Sequence, residues 1–293
     1  MDLLSFLPEG FLDQATQKYD IVLVEGIWTS NNKQISFVDK QSPSTLDAIV
    51  SHHLNQGKHI LLILSTGALD PILLATQSTT ASITIINTHA GLASFAACGT
   101  WDQADITRTM SYGFDVYDPH TLEDLMSRTL WAQGKIYIRT NEHLLSEENY
   151  PALKAEGAKK SLFSLQKQGF SGGHGTIVAL GSSIVDLFHA AVILQETGNP
   201  MDCFVSTSVD LSFSESLVTS IRESESLWII ADQLNNSLWE ASLKAKLWDL
   251  GLFETELHII GPRIEKVTSF LPDYIYEQSE MDGTHIAKRI LGK

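Results

Sequence analysis

The feature that most limits what this chain can become is a set of short, continuous apolar runs, each bounded by turn residues. They fall at 21–24, 60–64, 83–86, 135–138, 177–180, 203–205, 227–230 and 257–260. A run that is apolar at every position, rather than at every second one, belongs to a strand covered on both faces. The runs lie too far apart for hairpins, and stretches of helical periodicity separate several of them, at 44–54, 121–131, 184–196 and 238–247. Strands that alternate with helices build parallel βαβ units, because a parallel partner is reached only by a crossover. The expected fold class is therefore α/β, with mostly parallel sheets flanked by helices.

A glycine-rich segment, GFSGGHG at 169–175, precedes one of these runs, and the charged stretch 144–168 before it has no obvious strand. The expected organisation is two domains in series, 1–165 and 176–293, joined by a linker over 166–175. With 293 residues the chain can bury a real core in each, and neither half shows a repeat or a low-complexity tract.

Charge and cysteine usage narrow the function. Lys and Arg total 20 against 35 Asp and Glu, a net charge of -15, so the basic footprint of a nucleic-acid or anionic-membrane binder is missing. Cys98 and Cys203 have no metal-ligand spacing and cannot make a disulfide framework, which fits a reducing compartment. The opening MDLLSFLPEGFLDQ lacks a basic leader and a long apolar core, and no run approaches the ~18 apolar residues of a membrane span. The expected location is the cytoplasm.

The familiar phosphate signatures GxGxxG and GxxxxGK[ST] are absent, as is the nucleophile elbow GxSxG. GSS at 181–183 follows a strand and opens a helix, with Ser182 or Ser183 suited to the N-cap; a capped βα turn and an anion contact both fit. The ten histidines are scattered, and the adjacent His52 and His53 point to different helix faces, so no metal site is expected. His89, in THAGL, follows the run at 83–86, at the strand end where open α/β sheets bind ligands. It reads as a site residue or as a hydrogen-bonded surface group. The stretch ACGTWDQADI at 97–106 reads as a site loop, or as Trp101 plugging the core edge while Asp102 and Asp105 cap the next helix. Leu217 with Ile221, and Leu234 with Leu238 and Leu247, read as core stripes, whereas Lys244 and Lys246 read as solvated.

The order of these elements, and several local strings, resemble the second half of a transketolase: a pyrimidine-binding domain followed by the transketolase C-terminal domain. YDIVLVEGIW is similar to the first strand of that region. AIVSHHLNQGKHILLILSTGALDPIL resembles the helix, Gly-Lys, strand and Ser-Thr turn that follow, with Ser65 and Thr66 matching the turn. THAGL and then CGTWDQ resemble the THDSIGLGEDGPTHQ type of loop. YDPHTLEDL at 117–125 resembles the P-x-D-x-x-E turn, and KIYIRT at 135–140 the closing strand with its Arg. TIVALGSSIVDLFHAAVILQETG and SVDLSFSESLVTSIRESESLWIIADQ are similar to the strand, turn and helices of the second domain. The matches run in the correct order over some 270 residues, and it is their concurrence that identifies a divergent member.

The resemblance implies thiamine diphosphate with Mg2+ as cofactor, and a cofactor-contacting set of Pro43, Ser44, Ser65, Thr66 and Gly67 with His89 and Asp102 facing the substrate. It also exposes departures. The Glu that bonds the cofactor's aminopyrimidine in such enzymes falls at Pro43 or Ser44, and the stacking aromatic falls at Gly67. The loop His falls at Trp101 or Asp102, of which only Asp102 can exchange a proton. The diphosphate-and-magnesium motif GDG…N belongs to the other half of a transketolase, so a partner chain carrying the N-terminal half must supply it. The implied function is the C-terminal subunit of a split enzyme that transfers a two-carbon ketol unit between sugar-type substrates, with self-association. The alternative is a catalytically degenerate scaffold or regulatory subunit that binds no cofactor; a stand-alone small-molecule binder is a third reading.

Overall fold

The eight runs become eight strands, because segments that are wholly or mostly apolar on both faces are most stable between two layers of helices. A computed structural model describes residues 7, 10–25, 35–38, 43–64, 69–77, 79–88, 90, 92, 105–131, 133–140, 161–165, 169–232, 237–263 and 272–292. Among the described residues there are two sheets. The first holds β1 (Ile21–Glu25), β2 (Ile35–Val38), β3 (Ile60–Leu64), β4 (Ile83–Asn87), β5 (Asp115–Tyr117) and β6 (Lys135–Arg139), in the order β2-β1-β3-β4-β6-β5. Every neighbouring pair in it is parallel. Its helices are α1 (Phe11–Lys18), α2 (Pro43–Asn55), α3 (Leu69–Thr76), α4 (Asp105–Ser111) and α5 (Leu122–Trp131).

The second sheet holds β7 (Leu162–Ser164), β8 (Thr176–Leu180), β9 (Asp202–Ser206), β10 (Ser226–Ile230) and β11 (Glu256–Ile260), in the order β11-β10-β8-β9-β7. Only β7 runs antiparallel, against β9. The helices are α6 (Ile184–Glu196), α7 (Glu215–Ser224), α8 (Ser237–Asp249), α9 (Pro272–Gln278) and α10 (Gly283–Ile290). The fold class is α/β, as expected. The central strands β3, β4 and β8 are buried at every position, which explains why their sequences do not alternate.

Three strands escape the apolar-run criterion. β2 and β5 are short edge strands, and β7 has three residues. β7 lies within 144–168, where no strand is expected, and it pairs into the second sheet, so residues 162–164 join that sheet rather than the first.

The two sheets share a core. Leu62, Val116 and Tyr137 of the first belong to one apolar cluster with Val178 and Phe204 of the second and Trp239 of α8. The outer edge of β5 is covered by the chain after β9: Val209 N donates to Val116 O at 3.1 Å, and Asp118 N to Thr207 O at 2.9 Å. An edge closed in this way cannot recruit a foreign strand. Caps fix some helix starts. Ser214 accepts from Leu217 N at the head of α7, and Asp282 accepts from Thr284 N and His285 N at the head of α10. Ser183, one of the two residues expected there, stands at the N-cap of α6, and its side chain makes no capping bond. Among the described residues no helix is long and apolar enough to cross a membrane.

Candidate functional site

In parallel sheets all carboxyl ends lie on one edge, and the last residue of a strand projects into whatever covers that edge. β4 ends on Asn87 and β6 on Arg139, neighbours in register. In the second sheet the chain leaves β8 toward β9 and leaves β10 toward β11, so the carboxyl ends of β8 and β10 flank a point where the winding reverses. Asp232 follows β10 directly after Ala231, and Gly181 follows β8. These two edges face each other across a buried polar cluster.

Arg139, 1% exposed, is its centre. Its Nε donates to Asp105 Oδ2 at 2.7 Å, its Nη1 to Asp118 Oδ2 at 2.8 Å and its Nη2 to Asp232 Oδ1 at 3.0 Å. One planar guanidinium thus ties the start of α4, the turn after β5 and the second sheet into a single arrangement. Asp105 Oδ2 also accepts from the Tyr137 hydroxyl at 3.0 Å, and that hydroxyl accepts from Asn87 Nδ2 at 2.8 Å. Asp232 uses its other oxygen to accept from Leu92 N at 3.1 Å, so a second-sheet side chain fixes backbone that follows β4. Nearby, Arg128 Nη2 donates to Thr207 Oγ1 at 3.1 Å, a further link between the two sheets.

Electrostatics set the protonation. Burial works against the Arg139 charge, and Asp105, Asp232 and Asp118 more than offset it, so the guanidinium stays protonated. Burial and then the Asp105 charge hold the Tyr137 phenol well above its usual range, so it remains a donor. Tyr276 of α9, fully enclosed, is held up by burial and then by Asp232, Asp186 and Asp118. Asp186 in the first turn of α6 is different: burial first, and Asp282 second, push its carboxyl up to about 7. The cluster around Arg139 therefore positions strand ends, and Asp186 shares Tyr276 as a neighbour with Asp232 and Asp118. Three carboxylates around one cation leave an excess of negative charge, and Asp105 Oδ1 is buried with no hydrogen-bond partner among the described residues.

Gly181 is fixed by the same junction. Its φ is +39°, and a Cβ there would overlap both the carboxylate and the carbonyl of Asp118.

The residues expected from the sequence are placed as follows. Pro43 and Ser44 open α2. Ser65, Thr66, Gly67, His89 and Asp102 lie outside the described residues, as does Trp101. Their flanks are ordered by the strand ends: Thr88 N donates to Leu64 O at 3.0 Å, and Ala90 N to Thr140 O at 3.1 Å. Asp105, weighed as a helix cap, instead bonds Tyr137 and Arg139. Asp118, Asp232 and Asn87 were not singled out by motif. A polar residue at or just past the carboxyl end of an apolar run, as in IIN, YIR and IIAD, is the signal that marks them.

The cofactor implied by the resemblance finds little to hold it in the described residues. The first turn of α2 carries no acidic residue, and no group of three or more His, Cys, Asp or Glu side chains could hold a metal ion.

No protein-family model matches the chain, nor does any curated protein sequence. Solved structures do. A split-gene transketolase, described as an inactive beta4 tetramer, superposes with a TM-score of 0.69 at 15% identity, covering 97% of this chain and 96% of its own. The chain has a transketolase fold. Transketolase from Campylobacter jejuni subsp. jejuni NCTC 11168 superposes at TM-score 0.70 and 11% identity, covering 100% of this chain and 49% of that one. A transketolase mutant from Pichia stipitis gives 0.66 and 12%, with 93% and 42% covered. This transketolase-fold chain therefore spans under half of two such proteins and nearly all of the split-gene one.

Proposed function

We propose that the chain is a subunit of a split, transketolase-like, thiamine-diphosphate-dependent assembly that transfers a two-carbon ketol unit between sugar-type substrates. The observation that carries this reading is the length match: a split-gene transketolase chain is covered over 96% of its length by this one. In this reading a second chain brings the diphosphate half with the groups that hold the cofactor and its Mg2+, and the whole assembly also self-associates in the cytoplasm. The cofactor supplies the carbanion chemistry when bound. This chain's part is to shape the strand-end crevice, with Pro43, Ser44 and residues 65–67 near the cofactor ring and His89 and Asp102 toward the substrate. The same reading divides the chain into a pyrimidine-domain-like unit and a C-terminal unit around the 166–175 linker, with β7 contributed to the second.

A second reading, a catalytically degenerate scaffold or regulatory subunit, is favoured by the first turn of α2, which lacks an acidic residue. The two are separated by co-expressing the chain with a transketolase-like subunit that carries GDG…N and assaying ketol transfer. Turnover that needs both chains supports the first reading. A stable complex with no turnover supports the second, and no complex at all argues against both.

A further inference from the structure

A surface helix normally shows one apolar stripe, turned inward. Helix α8 shows two. Trp239, Leu243 and Leu247 are buried, and Trp239 Nε1 donates to Val209 O at 3.0 Å. On the opposite side Leu238, Ala241, Ala245 and Trp248 are all exposed, Leu238 by 52% and Trp248 by 67%. Their spacing of three, four and three residues is that of the contact positions in a helix pair. Leu238 thus departs from the core stripe expected of it.

We propose that this outer stripe is where two copies of the chain meet, their α8 helices antiparallel about a two-fold axis level with Leu243. The stripe is symmetric about that residue: Ala241 and Ala245 lie two positions to either side, Leu238 and Trp248 five. Antiparallel pairing sets each Ala241 against the other copy's Ala245, where small side chains let the helices approach closely. It sets each Leu238 against the other copy's Trp248. That indole already leans edge-on to Phe253, itself 62% exposed, at 4.6 Å between ring centroids, which makes an aromatic seat for the incoming leucine.

Charge and area both fit a second copy. The chain carries -15 overall, yet α8 holds Glu240, Lys244, Lys246 and Asp249, two of each sign, so the contact does not add like charge to like. Glu240 and Lys244 pair at 2.6 Å on one flank. Trp248 and Phe253 alone offer roughly 250 Å² per copy at the usual size of such side chains. With the rest of the stripe, two copies approach the ~1,000 Å² that a weak specific interface requires. This surface stands independently of the ketol-transfer reading.

Sedimentation equilibrium of the full chain over a wide concentration range tests it. The expected result is a reversible dimer that Ala241→Glu or Ala245→Glu weakens at least roughly 30-fold, since a charge is then buried unpaired at the contact. Both alanines are exposed, so at a concentration low enough for every protein to be monomeric the unfolding midpoint of each variant should match the wild type. Geometry is tested by mixing Ala241→Cys with Ala245→Cys under mild oxidation. A disulfide-linked dimer should form in the mixture and not in either variant alone, nor in the unsubstituted chain. Self-linking of one variant by itself, dimerisation of the glutamate variants equal to wild type, or a wild-type monomer at the highest concentration would each overturn the proposal.

Discussion

Arg139, the last residue of β6, donates through Nη2 to Asp232 Oδ1 just past β10, 3.0 Å away and in the other sheet. The contact lies inside the protein, where neither group meets water, and the other two guanidinium nitrogens are held by Asp105 and Asp118. A charge so enclosed is tolerated only while all its partners are present.

Removing the cation should therefore cost more than softening one partner. Arg139→Ala leaves three carboxylates buried together and should lower stability by about 3–5 kcal/mol. Asp232→Asn keeps one acceptor, for Nη2, but turns an amide NH2 toward Leu92 N and leaves a buried donor unpaired, so it should cost about 2 kcal/mol, still below the loss for Arg139→Ala. Urea unfolding monitored by circular dichroism compares them. A loss below about 1 kcal/mol for Arg139→Ala would show that the cluster contributes little.

Asp186 gives the junction a pH dependence. Its carboxyl is raised from 3.8 to about 7 by burial and by Asp282, so between those values the folded state holds a proton that the unfolded state has released. Stability is then present in full below about pH 4, declines as pH rises toward 7 and is level above that. Asp186→Asn should flatten the decline. Unfolding free energies of both proteins measured from pH 4 to pH 8 check this, and identical slopes would remove Asp186 as the cause.

The start of α2 offers a test of chemistry. Pro43→Glu and Ser44→Glu each place a carboxylate in a first turn that has none, where the helix dipole favours it. If the natural subunit is impaired by that missing acid, one substitution should raise the ketol-transfer rate of the two-chain complex by roughly 30-fold or more, the equivalent of a charge-assisted hydrogen bond of about 2 kcal/mol. Steady-state rates with saturating cofactor decide it. Equal rates in all three proteins would mean that the acid's position lies elsewhere.

Much of the fold was legible because its central strands are buried on both faces, and continuous apolar runs such as 60–64 and 177–180 have few other uses. β2, β5 and β7 were not, since an edge or three-residue strand needs no such run and takes its pairing from neighbours far along the chain. The site was less legible. Asn87, Asp105, Asp118, Arg139 and Asp232 lie up to 145 positions apart and are ordinary residues singly; only the topology that stacks two carboxyl edges makes them one cluster. Leu238 misled for a related reason: helical spacing identifies an apolar stripe but does not say whether the covering layer belongs to the same chain.

In the function proposed above, this chain is one half of a cofactor site completed by a second chain. Calorimetric titration of thiamine diphosphate with Mg2+ into this chain, into the subunit carrying GDG…N, and into their equimolar mixture measures it directly. No binding to this chain alone is expected, and markedly tighter binding to the mixture than to the partner alone. Tight binding to this chain by itself, or a mixture that binds no better than the partner, would contradict it.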